Sequence, residues 1–346
     1  MPPGPIADAL LPWYDRHARR FPWRVPPGSS ERPDPYRVWV SEIMLQQTGT
    51  TVVVPRFGRF IARWPTVGDL AAASAEEVME EWAGLGYYSR ARNLHACARA
   101  VVEEHGGRFP ENHDALRALP GLGDYTAASV AAIAFGRAVP VVDGNVERIV
   151  ARVVALDRPP KLAKRAVREV VGEWVPTERP GDFAQATMDL GATVCTPRSP
   201  LCLHCPIRAH CRAAAEGDPA RYPIKVAKAA RRSRRGAAFV ARRADSAVLL
   251  TRRPPSGLLG GTVSVPMSDW SARGDGATDA SAAPFPADWV RAGTAEHGFS
   301  HFAIALDVWT AKVEHDAPEG YWWSHDPEAE GVTTLLRRVL EAANAI

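Results

Sequence analysis

Along residues 6 to 215 apolar positions recur at three- and four-residue spacing within Ala-rich segments, separated by short Pro and Gly breaks. PTVGDLAAASAEEVMEEWAGLG, NLHACARAVVEEHGG and KLAKRAVREVVGEWV are examples, and the period predicts amphipathic helices. Ser74 followed by Glu77 has the form of a capping box, which predicts a helix start there. Farther on the period changes to two. AAFVARR and AVLLTRR are short β-rich runs separated by ADS, and FSHFAIALDVWTAKV alternates with Phe302, Ile304, Leu306 and Val308 on one face. TLLRRVLEAANAI predicts a closing helix, and residues 268 to 286, rich in Ala, Ser, Asp, Gly and Pro, predict an exposed loop. The expectation is a multidomain chain: an all-α domain over 1–212, a linker over 213–236 and a small α+β domain over 237–346. There is no internal repeat.

Composition sharpens the division. From Pro219 to Ala244 the chain carries nine basic residues and no acidic one, a pattern of a solvated linker that also suits phosphate contact. Over all 346 residues, 42 Lys plus Arg against 39 Asp plus Glu give a formal charge of +3, and 46% of residues are hydrophobic. These values exclude wholesale disorder and collagen-like or coiled-coil architecture, and the length suits about two domains. No apolar run approaches the roughly 18 residues of a membrane span, and MPPGPIADALLPWYDRHARRFPWR lacks the charged-then-apolar pattern of a signal peptide. A cytoplasmic protein without membrane contact is expected.

Four of the five cysteines fall within one short stretch. Cys195, Cys202, Cys205 and Cys211 give C-x6-C-x2-C-x5-C, in which four thiolates can wrap one tetrahedral centre. The chemistry alone admits zinc or an iron–sulfur cubane. His204 and His210 lie in the same loop, but four sulfurs already complete a site, so both are expected at the surface. Cys97 stands apart in a helical run as an apolar thiol.

HDALRALPGLGDYTAASVAAIAFG sets a short helix, the turn LPGLG and a second Ala-rich helix in succession. Gly121 and Gly123 allow backbone conformations barred to other residues and a close approach of N–H groups to a ligand. Those N–H groups, around Leu122, open the next helix, where the helix dipole favours an anion. An ordinary helix–turn–helix corner would read the same way. The whole string LPGLGDYTA, however, resembles the helix-hairpin-helix of the base-excision DNA glycosylases, and VVDGNVERI resembles the loop and aspartate that follow it in that superfamily. SEIMLQQT at 41–48, GLGYYSRARNL at 84–94, the cysteine spacing and GFSH at 298–301 narrow the resemblance to the MutY-type adenine DNA glycosylases, over nearly the whole chain.

That resemblance implies an enzyme that hydrolyses the N-glycosidic bond of adenine mispaired with 8-oxoguanine or guanine in double-stranded DNA, acting as a monomer. It implies a 4Fe-4S cluster on the four cysteines and a Nudix-like C-terminal domain. No G-x5-E-x7-R-E-x2-E-E box occurs, so that domain is expected to read the lesion rather than hydrolyse pyrophosphate. LLGGTVSVPMSDW also departs from the family by lacking the Trp and acidic residue that usually follow the Gly pair.

Breaking a glycosidic bond needs a protonated leaving group and a stabilised cationic sugar, a division of labour suited to two carboxylates of different pKa. Glu42, with Val38, Trp39 and Leu45 as helical neighbours, is expected to be raised towards a general acid. By resemblance it protonates the adenine. Asp143, beside Gly144 and Asn145, is expected to stay ionised and stabilise the sugar, electrostatically or covalently, with Asn145 orienting Asp143 or the sugar; a plain helix N-cap is the alternative. Tyr125 stands where strand-cleaving relatives of the endonuclease III type carry a Lys, and a phenol cannot form a Schiff base, which implies a monofunctional glycosylase. Gln46, Gln47, Thr48, Tyr87 and Tyr88 match the family's wedges into the duplex, with Gln47 and Tyr87 as the inserting pair. Phe299, Ser300 and His301 resemble the loop that touches 8-oxoguanine. An endonuclease III-like glycosylase-lyase for oxidised pyrimidines and an inert lesion-binding protein are the competing readings; Tyr125 argues against the first, and the pair Glu42 and Asp143 against the second.

Overall fold

Short polar residues start most of the helices, and their spacing decides where each begins. In the computed structural model, which describes residues 4–224, 232–254, 257–299 and 301–344, Asp34 caps a helix whose first residue is Pro35, accepting from the Tyr36 N–H. Thr66 and Ser74 each close a reciprocal capping box, with Asp69 and Glu77. These two caps cut the continuous helical signal of residues 65–86 into two short helices. The helices in chain order are α1 (Pro5–His17), α2 (Pro35–Leu45), α3 (Thr50–Arg63), α4 (Val67–Ala72), α5 (Ala75–Glu81), α6 (Ser89–His105), α7 (His113–Ala118), α8 (Asp124–Phe135), α9 (Gly144–Val153), α10 (Lys164–Trp174), α11 (Pro180–Thr193) and α12 (Arg212–Ala215). Among the described residues no helix is long and apolar enough to cross a membrane.

The chain divides into two compact units, residues 1–73 with 93–227 and residues 74–92 with 228–346. The first is helical. Ile6, Leu10 and Trp13 of α1, Ile149 of α9, and Phe183 and Leu190 of α11 are buried together in its main cluster. Val146 and Val150 pack on Val167 and Val171 of α10 in a second. The burial of α8 is nearly all round, from Thr126 to Ala134. Small Ala side chains let neighbouring helices approach it closely, and α2, α7 and α11 all pack against it.

The second unit is built on a six-stranded sheet of β1 (Arg232–Arg242), β2 (Val248–Arg252), β3 (Val263–Ser264), β4 (Val290–Gly298), β5 (Phe302–Lys312) and β6 (Tyr321–Ser324). The order is β3-β2-β1-β5-β4, with β6 also on β2. β1 and β5 are parallel from Arg232 beside Phe302 to Arg242 beside Lys312, and the other pairs are antiparallel. Phe302, Ile304, Leu306 and Val308 do share one buried face, against Leu335, Leu336, Val339 and Leu340 of the closing helix α13 (Thr334–Ala342). Two details differ from the sequence pattern. β1 begins at Arg232, inside the basic stretch expected as linker, because β5 supplies hydrogen-bonding partners that the Arg-rich sequence does not advertise. Trp270, in the stretch expected as an exposed loop, is 5% exposed and seated over β1, and a Cβ on Gly236 would meet its Cδ1 at 2.8 Å.

Candidate active site

α2 brings Glu42 into the helical unit with 6% exposure, among the apolar residues expected from the helical period. α8 supplies its partner: the Tyr125 hydroxyl donates to Glu42 Oε2 at 2.7 Å. Burial drives the Glu42 pKa upward, and the hydrogen bonds from Tyr125 and Ser129 only partly oppose it. The Tyr125 phenol is itself raised well above its ordinary value by burial and by the neighbouring Glu42 and Asp143 carboxylates. At pH 7 it is therefore a neutral donor, with no anionic or amine nucleophile at its position.

Asp143 is both the N-cap of α9 and a wall of the same cavity. Its Oδ1 accepts from the Val146 N–H at 2.8 Å, and its Oδ2 from Asn145 Nδ2 at 2.7 Å. Asn145 is held in turn by Arg148, whose Nη2 donates to Asn145 Oδ1 at 2.9 Å and to the Gly191 carbonyl at 2.7 Å. A Cβ on Gly191 would meet the Asn145 Cβ at 2.5 Å, so α11 needs glycine there to leave room for this amide. The N-cap alternative for Asp143 is therefore present, and the same side chain also lines the cavity. The shared cavity, of about 240 Å³, is lined by Glu42, Tyr125, Asp143, Asn145 and Thr48, with Arg24 at its wall.

Sequence patterns gave no sign of the knot behind that wall. Asp189 of α11 is fully buried and accepts from Arg19 N and Nε at 2.9 and 2.7 Å and from both Arg24 terminal nitrogens at 2.8 and 3.0 Å. The Arg24 charge also favours the ionised form of Glu42, against the larger effect of burial. R-x4-R in an irregular segment and an Asp in a helix centre share no local signal; only the burial of an acid in an apolar run, QATMDLGAT, hints at it.

The remaining expected residues divide by environment. Gln46 donates to Thr126 Oγ1 at 3.2 Å, and Gln47 holds a positive φ of 58°, a strained position for a side-chain-bearing residue just past α2. In the hairpin, Gly121 has φ +74° and leaves no room for a Cβ, which would sit 2.5 Å from the Asn93 Cβ. Leu122 points inward and is buried, while Gly123 is the exposed N-cap of α8. Within the second unit Tyr87 (φ +50°) is 47% exposed, with the Arg90 guanidinium 5.6 Å from its ring centroid, whereas Tyr88 packs inward at 8%. Phe299 stacks on Phe302 at 4.7 Å and His301 is exposed; Ser300 lies outside the described residues.

Cys195, Cys202, Cys205 and Cys211 are half-buried free thiols, and Cys97 is fully buried. Burial pushes the Cys205 thiol up to about 12, and the charges of the other three add to the shift. Arg152 of α9, buried, donates to Cys195 Sγ at 3.1 Å and to the Thr196 carbonyl at 2.8 Å. Arg148 Nε reaches the Cys195 carbonyl at 2.7 Å, so one helix ties the cysteine loop to Asp143. Among the described residues no three or more His, Cys, Asp or Glu groups form a ready metal cage. The donor set itself, four free thiols in one loop with a guanidinium on one sulfur, fits a thiolate-bound centre that carries net negative charge.

Two family models match the chain: HhH-GPD superfamily base excision DNA repair protein over residues 40–174, and NUDIX domain over residues 237–342. The adenine DNA glycosylase of Homo sapiens is 37% identical over 395 residues, covering 96% of this chain and 72% of that protein. The adenine DNA glycosylase of Mus musculus is 49% identical over 209 residues, 59% of this chain and 41% of its own. That of Mycolicibacterium smegmatis is 44% identical over 213 residues, 61% of this chain and 70% of its own. Among solved structures, a thermostable thymine-DNA glycosylase superposes with TM-score 0.54 at 29% identity, over 61% of this chain and 95% of that one. An endonuclease III–DNA complex at 23% identity and TM-score 0.51 shares the fold. With a buried Glu42, the capping Asp143 and the helical hairpin between them in the chain, these likenesses show that the chain belongs to the MutY-type adenine DNA glycosylases of the HhH-GPD superfamily.

Proposed function

We propose that this enzyme excises adenine standing opposite 8-oxoguanine or guanine in double-stranded DNA, as a monofunctional glycosylase and a monomer. The observation that carries the reading is the buried Glu42 carboxyl under the Tyr125 hydroxyl, in one cavity with Asp143. Glu42, favoured in its protonated form by burial, gives its proton to the departing base as the C1′–N bond breaks and the bonding pair leaves with the adenine. Asp143, its carboxylate fixed by the Val146 N–H and the Asn145 amide, faces the cationic sugar. A water oxygen then bonds to C1′ and its proton returns to Glu42. Tyr125 orients Glu42 and offers no amine, so the strand stays intact.

Cys195, Cys202, Cys205 and Cys211 would hold a 4Fe-4S cluster, with the Arg152 guanidinium on the Cys195 sulfur, and the cluster would supply iron–thiolate bonds that close the loop. Gly121 and Gly123 present backbone N–H groups to a phosphate at the start of α8. Gln46, Gln47 and Thr48 of the helical unit and Tyr87 and Tyr88 of the second are assigned to the duplex, with Gln47 and Tyr87 as the inserting side chains, and Phe299, Ser300 and His301 are assigned to the opposing base. The test is a single-turnover panel of duplexes with adenine opposite 8-oxoguanine, guanine and thymine, developed with and without alkali. Expected are alkali-dependent breaks at adenine opposite the two purines. Alkali-independent breaks, or equal rates opposite thymine, would overturn the reading.

A further inference from the structure

Phe299 sits at the end of an aromatic stack within the second unit that nothing in the catalytic scheme uses. Its ring lies 6.2 Å from that of Trp270 and 4.7 Å from that of His297. Trp270 is locked in place: Gly236 leaves room for its ring, and a Cβ on Gly276 would meet Ser268 Oγ at 2.7 Å and the Trp270 nitrogen at 3.0 Å. On the Trp270 ring, with its central carbon 5.1 Å from the centroid, rests the Arg253 guanidinium.

Arg253 is a cation with poor company. Among the described residues its buried Nε has no hydrogen-bond partner, and its Nη1 has only the Met267 thioether sulfur at 3.6 Å. Among the described residues no carboxylate is within ion-pair distance of it, and Asp269 acts on it only through space. Its backbone is fixed on both sides, N–H to the Thr262 carbonyl at 3.0 Å and carbonyl from the Gly261 N–H at 3.2 Å. A half-buried guanidinium without a counter-charge is costly on its own, and that cost is offset when an anionic oxygen arrives. Guanidinium groups that are planar, stacked and preset are suited to phosphate. On the sheet, Arg232, also without an ion-pair partner among the described residues, is in register with Phe302, three residues past Phe299. Arg232 thus places a second positive residue beside the start of β5.

We infer that Arg253, seated on Trp270, binds a backbone phosphodiester of the DNA strand that carries the base opposite the target adenine. The inference rests on the proposed reading of Phe299, Ser300 and His301. It assigns Arg253 an affinity role that is blind to base identity, whereas those three residues carry the discrimination.

The test measures binding of the full chain to duplexes with adenine opposite 8-oxoguanine, guanine or thymine, across a salt series, with Glu42→Gln in every protein so that no substrate is consumed. Arg253→Met, which keeps a long side chain on Trp270, is expected to lower the slope of log affinity against log salt by about one. Arg253→Lys is expected to restore it. Preference among the opposing bases stays unchanged in both. A second arm replaces single phosphates of the lesion strand by neutral methylphosphonate. One position should weaken the parent protein and leave Arg253→Met unaffected, a comparison that holds even where the variant is less stable. An unchanged salt slope in folded Arg253→Met, or equal sensitivity of both proteins at every methylphosphonate position, would overturn the inference. Loss of all preference among opposing bases in the parent protein would instead overturn the reading on which it rests.

Discussion

The cavity around Glu42 and the stack around Trp270 solve opposite problems. In the first, the polar groups are held by other polar groups: Glu42 by Tyr125, Asp143 by Val146 and Asn145, Asn145 by Arg148, and Arg24 by Asp189. In the second, a sheet face of aliphatic and aromatic side chains carries the fold, and Arg253 Nε, Trp270 Nε1 and His297 Nδ1 have no hydrogen-bond partner among the described residues. A network that satisfies itself fixes geometry for chemistry, while donors left over in an apolar setting mark a surface that waits for something. Substitutions in the two regions should therefore fail in different currencies, rate in one and stability or affinity in the other.

The sharpest separation comes from Glu42→Gln. Single-turnover excision is expected to fall by at least about 10²- to 10⁴-fold with duplex binding kept, because the amide preserves shape and has no acidic proton to donate. A near-normal rate would remove Glu42 from its role. The pH dependence follows in sign. Burial raises the Glu42 pKa in the folded protein above the ordinary 4.5, so the native state holds its proton more tightly than the unfolded chain does. Stability from this group is fully present below that ordinary value and falls as pH rises towards the raised one; excision falls with loss of the same proton. Urea titrations at several pH values should show the stability slope in the parent and lose that component in the glutamine variant.

Asp189→Ala should cost about 3 to 5 kcal/mol, because Arg19 and Arg24 lose the carboxylate that both share and Arg24 is only 10% exposed. Chemical denaturation measures it, and a loss below about 1 kcal/mol would mean that water replaces the carboxylate without penalty. In the other region, Leu306→Ala should cost about 2 to 5 kcal/mol through the cavity left under α13. Excision chemistry at saturating enzyme should be less affected than opposite-base preference, and equal loss of both would blur the contrast drawn above. The smallest effect is expected from Tyr125→Phe, about 1 kcal/mol, or roughly fivefold in rate, for one hydrogen bond to Glu42. Because that bond lowers the Glu42 pKa, its removal should move the alkaline limb of the rate profile upward.

Much of this was legible in the residues, for reasons that can be named. Local rules apply where the partner lies within a turn: the Ser74–Glu77 box, the alternation of β5 and the apolar neighbours of Glu42 all appear as read. The hairpin and the carboxylates stood out through motif resemblance rather than through period. What escaped was set by distant partners. The Arg19–Arg24–Asp189 knot joins residues far apart in the chain, the basic run becomes strand only because β5 lies beside it, and Trp270 is buried because Gly236 leaves space. The contact grouping of residues 74–92 with the second unit likewise has no local mark.

The parallel pairing of β1 with β5 also has a consequence in time. Some helix pairs of the first unit, α2 with α3 and α7 with α8 among them, join segments near in sequence, and such local contacts form early. β1 meets its near neighbour β2 only at its end, where Arg242 stands beside Val248. As the chain leaves the ribosome, Arg232 must wait for Phe302, with β2, β3, β4 and a long irregular stretch emerging in between. During that interval its apolar half, Gly236 to Ala241, is an unpaired edge open to strands of other chains. The arginines at 232, 234 and 235 repel a second copy of the same strand and so protect the nascent sheet from aggregation.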